Sequence, residues 1–192
     1  VPLDDQRQWY RYHHLFAEVL QAHLIEALPE QVSRLHQRAS LWFEQHDLPA
    51  EAIRHALDAN DLERAADLIE RIWLAMDINY QYDAWLVWAK ALPEELIRAR
   101  PVLSVGYAWA LLGVGELEAS EARLQDAERW LKPINEQTEN LSLKMVVVDE
   151  VEFKSLSVSI AAARAYRALA LGDIPGTKLY ARQALAVDPD GE

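Results

Sequence analysis

Apolar residues recur every three or four positions along most of this chain, and the spacing is clearest between Pro101 and Leu131. There Leu117, Ser120, Leu124, Ala127 and Leu131 share one helical stripe, while Glu118, Glu121, Arg123, Asp126 and Arg129 fall off it, which predicts a half-solvated helix. The segment before it is apolar on two stripes, Leu103, Tyr107, Ala110 and Leu111 on one and Val102, Val105, Trp109 and Leu112 on the other. A helix apolar all round must be covered on every side or line a groove. Pro101 suits a first turn, and Gly113 and Gly115 suit a stop, so the stretch reads as two antiparallel helices joined at Gly115-Glu116. Such a hairpin needs neighbours to bury its first helix. On this reading Gly115 lies outside both helices and tolerates Pro, whereas Leu124→Asp puts an unpaired charge in the core.

The same grammar extends to both sides. Val1 to Leu3 and Trp9 to Tyr12 flank the polar Asp4-Asp5-Gln6 and predict a small N-terminal β-hairpin. His13 and His14 lead into a helix that ends near Pro29. Val32, Leu35, Ala39, Trp42 and Phe43 make the next stripe, broken at His46-Asp47-Leu48-Pro49; Ala52, Ile53, Ala56 and Leu57 follow, up to a break at Ala59-Asn60-Asp61; Leu62, Ala65, Ala66, Ile69 and Trp73 form another. Ile78 to Leu92 reads as one helix, with Trp85, Trp88 and Leu92 on one side and Tyr82, Leu86 and Ala89 on another, and Pro93-Glu94-Glu95 starts a short turn. Pro133 to Leu141 is polar and reads as a loop. Lys144 to Leu171 reads as one long helix, although Val146-Val147-Val148 prefers a strand on propensity alone. The last segment fits the tetratricopeptide pattern, with Gly172-Asp173 at the turn, Ala181 and Ala184 on the second helix and Pro189 after it. Arg164 stands where that pattern wants a large apolar residue, so either the phase is off or an Arg is partly buried.

Short breaks followed by Ala-rich helices are the signature of a helical-hairpin array. The fold class expected is all-α, a right-handed superhelical array of antiparallel helix hairpins of tetratricopeptide type.

Composition removes several functions. The 192 residues carry a formal net charge of −12, against the clustered Lys and Arg that gripping a phosphate backbone requires, so direct nucleic-acid binding is not expected. No cysteine is present, which leaves no disulfide, thiolate zinc site or cysteine nucleophile. The longest apolar run is too short to span a bilayer, so no membrane role and a cytoplasmic location are expected. The chain opens on Val rather than Met, as a piece of a longer protein would. There is no GxxxxGK[ST], GxGxxG, HExxH or GxSxG motif, and the six histidines show no ligand spacing, so no enzyme, cofactor or metal site is expected.

Three runs carry a family likeness: WYRYHHLFAEVLQAHL at Trp9 to Leu24, LHQRASLWFEQHDLPAEAIRHALDANDLERAADLIE at Leu35 to Glu70, and WAKALPEELIRARPVLSVGYAWALLGVGELEASEARL at Trp88 to Leu124. Together they resemble the large ATP-dependent, MalT-like LuxR-type transcriptional regulators, over nearly the whole chain. The resemblance implies the end of a winged-helix segment and a connecting helix at 1–29, a helical linker and first hairpins at 30–100, and tetratricopeptide-like repeats of a sensor at 101–192. It also implies that the ATPase and the DNA-binding helices lie outside this stretch.

Two functional readings follow. One is the effector-sensing and self-association region of such a regulator, binding a small molecule or regulatory protein and relaying it to an ATPase. The other is a generic tetratricopeptide scaffold whose groove takes a peptide or partner helix. Laying the repeat on Gly115 and Gly172 brings Trp109 and Tyr166 to the same groove-facing position. Val105 and Leu112 share the Trp109 stripe, Arg167 could supply charge, and Trp85 and Trp88 are weaker candidates. The competing reading of these aromatics is core, covered by the helix ending at Leu171.

Overall fold

Among the described residues, five helix ends are closed by one and the same turn. In the computed structural model, which describes residues 13–131 and 144–186, the residues Asp47, Asn60, Tyr80, Gly115 and Gly172 have φ of 56°, 54°, 54°, 84° and 74°. In each case the left-handed residue donates its N–H to the carbonyl three positions back, and the next residue donates to the carbonyl five back: Leu48 to Phe43, Asp61 to Ala56, Gln81 to Met76, Glu116 to Leu111 and Asp173 to Ala168. This is the Schellman arrangement, which satisfies carbonyls that a helix end leaves orphaned. The next helix starts two residues after the left-handed one every time, so the repeat is first of all a repeat of turns. The expected N-terminal hairpin, the 133–141 loop and Pro189 lie outside the described residues.

The described residues are helical with no strand among them, in agreement with the all-α expectation. The chain divides into two compact units, Val1–Asp61 and Leu62–Glu192.

In the first unit α1 (His14–Ala27) is followed by α2 (Pro29–Gln45) and α3 (Pro49–Asp58), the last two forming a hairpin across the Asp47 turn. Their contact is polar at regular steps: Ser33 Oγ donates to the Ala59 carbonyl at 2.9 Å, His36 Nδ1 meets His55 Nδ1 at 2.8 Å, and Ser40 Oγ donates to the Ala52 carbonyl at 2.8 Å. Ala52, Ile53 and Ala56 fill the seam. The buried face of α2 is therefore rotated from the expected stripe. Leu35 and Trp42 lie at the surface, because small hydroxyls at 33 and 40 let the two backbones approach where Leu35 and Trp42 could not fit.

The second unit holds α4 (Leu62–Arg71), α5 (Trp73–Ile78), α6 (Tyr82–Ala89), α7 (Glu94–Arg98), α8 (Pro101–Gly113), α9 (Leu117–Glu128), a 3₁₀ turn at Arg129–Leu131, α10 (Glu150–Lys154), α11 (Leu156–Ala170) and α12 (Ile174–Ala186). Helix α8 is its axis. It packs against α4, α6, α7, α9, α10 and α11, which is why it is apolar all round. One stripe meets α9 and α11 in a core of Val102, Val105, Ala108 and Leu112 with Leu124, Ala127, Leu156, Ile160 and Ala163. The Trp73 ring packs closely on Gly106, its nearest atom 3.0 Å from where an added Cβ would lie.

Three expectations are corrected here. Ile78 to Leu92 is not one continuous helix: Ile78 ends α5 and α6 runs only from Tyr82 to Ala89, because Tyr80 takes the left-handed conformation; a break signalled by Tyr rather than Gly or Asn is invisible to turn statistics. The long helix does not begin at Lys144: residues 144–149 are non-helical, Val146 N–H bonds the Ala99 carbonyl at 2.8 Å, and Asp149 caps α10 by accepting from Val151 and Glu152. A second break at Ser155 separates α10 from α11. Asp126, expected on a solvated face, is buried and ringed by Arg98, Arg123 and Arg129 at 3.7, 3.4 and 3.3 Å.

Arg164 is the partly buried arginine. Its guanidinium bridges Glu121 and Glu128 of α9 with hydrogen bonds of 2.9–3.2 Å, so the charge locks α11 to α9 where an apolar residue would have packed.

Candidate functional site

At one end of α8 the Tyr80 turn, the start of α6 and α11 border an open cleft of about 460 Å³, lined by Asp77, Ile78, Tyr80, Tyr82, Trp109, Leu112, Gly113 and Tyr166. Its walls are aromatic. Trp109 and Tyr166 lie 6.0 Å apart between ring centroids, inclined at 53°, and Tyr80 meets Tyr82 edge to face at 6.2 Å. Such spacings are those of attractive aromatic pairs. Trp109 is divided between two roles: it packs against the core cluster, and its indole N–H donates to Ser159 Oγ at 3.4 Å, yet it also reaches the cleft.

Tyr82 sets the floor. Its ring lies so close over Gly113 that a Cβ there would overlap it, so only glycine fits at the end of α8. Its hydroxyl donates to Asp77 Oδ1 at 3.0 Å, and burial followed by that hydrogen bond and the Asp77 charge pushes the phenol up to about 12. Asp77 is the single charged residue among the lining set, and no cation opposes it there.

Tyr80 is the outlier. A bulky residue with φ of 54° is uncommon and costs on the order of 1 kcal/mol relative to glycine, and its side chain is 81% exposed, so packing does not repay the strain. The four equivalent turns use Asp, Asn and two Gly, residues that accept this conformation readily. The ring that Tyr80 adds to the cleft is what distinguishes this turn.

Of the residues singled out from sequence, Trp109, Leu112 and Tyr166 come together on the cleft. Val105 is core. Trp85 is fully buried with its indole N–H on the Ile69 carbonyl at 3.1 Å; Trp88 is half-buried and does not line the cleft. Arg167 donates from Nε to the Leu117 carbonyl at 2.8 Å, tying α11 to the start of α9. Asp77, Ile78, Tyr80, Tyr82 and Gly113 were missed, since each depends on the unforeseen break. The lining is four aromatic residues, two aliphatic ones, Gly113 and the carboxylate of Asp77.

A second charged centre is structural. Arg100 is 2% exposed and faces Asp67 at 2.7 Å, Glu63 at 2.8 Å and Glu70 at 3.6 Å. Burial raises the Glu70 carboxyl to about 7, partly countered by Arg100 and the Val148 N–H.

Residues 1–32 match the MalT winged helix domain family. The chain is 23% identical to the HTH-type transcriptional regulator MalT of Vibrio parahaemolyticus, in an alignment covering 100% of this chain and 21% of that protein. It is 27% identical to MalT of Vibrio cholerae over 83% of this chain and 17% of the relative. It is 34% identical to the serine/threonine-protein kinase PknK of Mycobacterium tuberculosis over 56% of this chain and 10% of that kinase. The chain thus spans between a tenth and about a fifth of the length of these relatives. No solved structure matches it. With a winged-helix family match over its first 32 residues and MalT regulators aligned along its length, the chain is similar to a segment of the MalT-type transcriptional regulators.

Proposed function

We propose that this segment is the effector-sensing region of a MalT-like regulator, and that the aromatic cleft at the end of α8 receives a small molecule. The strained Tyr80 carries the reading: a turn that four times uses Asp, Asn or Gly here holds a costly aromatic residue whose ring is spent on the cleft wall. The relatives support it from another side. Proteins named as a transcriptional regulator and as a protein kinase each align with this chain, the kinase over 56% of it, as outputs of different kinds would share a region that senses or interacts. The segment binds and does not catalyse, holds no cofactor, and works in the cytoplasm by altering the ATPase and DNA-binding parts of the longer protein.

A second reading, docking of a partner helix or self-association through the hairpin array, is favoured by the exposed Leu169, Leu171, Ile174, Leu179 and Leu185 of the α11–α12 hairpin. A thermal-shift screen of small metabolites against the purified chain separates the two. The effector reading expects a compound that raises the Tm and loses that effect with Tyr166→Ala and Tyr80→Gly. Compounds acting equally on those variants, or no compound acting while Leu179→Glu abolishes self-association, would favour the second reading.

A further inference from the structure

The first unit carries a feature that the effector reading does not use. Histidines that lie scattered in sequence meet across the α2–α3 hairpin: His36 Nδ1 and His55 Nδ1 are 2.8 Å apart, and Asp58 Oδ2 lies 3.6 Å from His36 Nδ1. One ligand atom from each of the three falls within 4.8 Å of the others. From these positions we propose a binding site for a divalent transition-metal ion of the zinc class, held by His36, His55 and Asp58, that cross-links α2 to α3.

The fit follows from ligand geometry. A tetrahedral zinc with bonds of about 2.0–2.1 Å to imidazole nitrogen and carboxylate oxygen separates its ligand atoms by about 3.3–3.4 Å. The His36–Asp58 separation of 3.6 Å is within a few tenths of an ångström of this, the two nitrogens need to part by about half an ångström to reach about 3.3 Å, and Asp58, within 4.8 Å of His55, closes on the ion by a side-chain rotation. His55 and Asp58 are three apart on α3 and share a face, while His36 comes from the facing helix. The frame is rigid at that point, because the Ser33–Ala59 and Ser40–Ala52 hydrogen bonds clamp the hairpin on either side of His36. His55 is further fixed by stacking on Phe43, ring centroids 5.3 Å apart and nearly parallel. Asp58 is exposed and leaves the fourth position to water.

One group competes. Arg54 places Nη1 3.5 Å from Asp58 Oδ2 and Nη2 3.3 Å from His55 Nε2. Donation from Arg54 to Nε2 leaves the His55 proton on Nδ1, where it bridges to His36; metal binding moves that proton to Nε2 and frees both Nδ1 lone pairs. Arg54 keeps a partner when it withdraws, since Nη2 also pairs with Glu51 at 2.6 Å.

Calorimetric titration of the untagged chain with zinc chloride, repeated with cobalt chloride and followed by visible absorption, tests the site. One ion should bind per chain with micromolar affinity, raise the Tm, and give the intense visible bands of a tetrahedral cobalt centre. His36→Gln and His55→Gln should each weaken binding at least tenfold, and the fold-neutral surface change Asp58→Asn should weaken it several-fold. His13→Gln combined with His14→Gln should leave it unchanged, and Arg54→Ala should tighten it several-fold. Absence of saturable binding, or binding that survives His36→Gln and His55→Gln together, would overturn the proposal.

Discussion

Glu70→Gln turns the buried charge cluster into a measurable pH dependence. Glu70 is 5% exposed, and its carboxyl in the folded chain is raised from 4.5 to about 7, first by burial. Because the folded state holds this proton more tightly than the unfolded state, Glu70 contributes stability that is present below about pH 4.5 and is lost as pH rises through about 7. Between pH 5 and pH 8 the loss amounts to about 2–3 kcal/mol for one such group. Gln is a neutral stand-in for the protonated acid and does not titrate. Urea denaturation of both proteins at pH 5, 6, 7 and 8 isolates the term, because every other titrating group cancels in the difference. The variant's advantage over the parent should grow by about 2–3 kcal/mol between pH 5 and pH 8. A difference that stays flat with pH, or that favours the parent as pH rises, would refute the argument that burial outweighs the Arg100 attraction.

Tyr80→Gly should relieve the left-handed strain and raise stability by up to about 1 kcal/mol in thermal melts while weakening any ligand of the cleft. Gly113→Ala, which would ordinarily stabilise a helix, should instead cost about 1–3 kcal/mol because its Cβ meets the Tyr82 ring, and tyrosine fluorescence or NMR of Tyr82 should register the displacement. Gly115→Pro should cost about 3 kcal/mol or more, measured by denaturant midpoint, since φ of 84° excludes Pro and the Gly115 N–H is bonded to the Leu112 carbonyl; the tolerance expected from sequence was wrong. The purified chain should show no ATP hydrolysis above background in a phosphate-release assay, as the missing phosphate-binding loop requires.

The fold was legible where one stripe met one neighbour. The Pro101–Leu131 hairpin, the Ala52–Ala56 seam and the Gly172 turn needed only apolar spacing and glycine, and they stand as expected. What escaped was set by contacts between distant segments. Nothing near Tyr80 in sequence signals a left-handed residue. Leu35 looks like a core residue until Ser33 and Ser40 are seen to draw α3 in beside them. Trp109 read as groove or core, and it spans both. The cleft needed the Tyr80 break before Tyr82 could be swung onto Gly113, so half its wall was beyond any periodicity argument.

Hydrogen exchange of the whole chain, with and without a compound from the thermal-shift screen, reads the location of binding directly. Sensing through the cleft predicts slowed exchange in peptides covering 77–82, 109–113 and the middle of α11, with little change in α2 and α3. Protection confined to α12, or to the α2–α3 hairpin, with the cleft peptides unchanged, would contradict it.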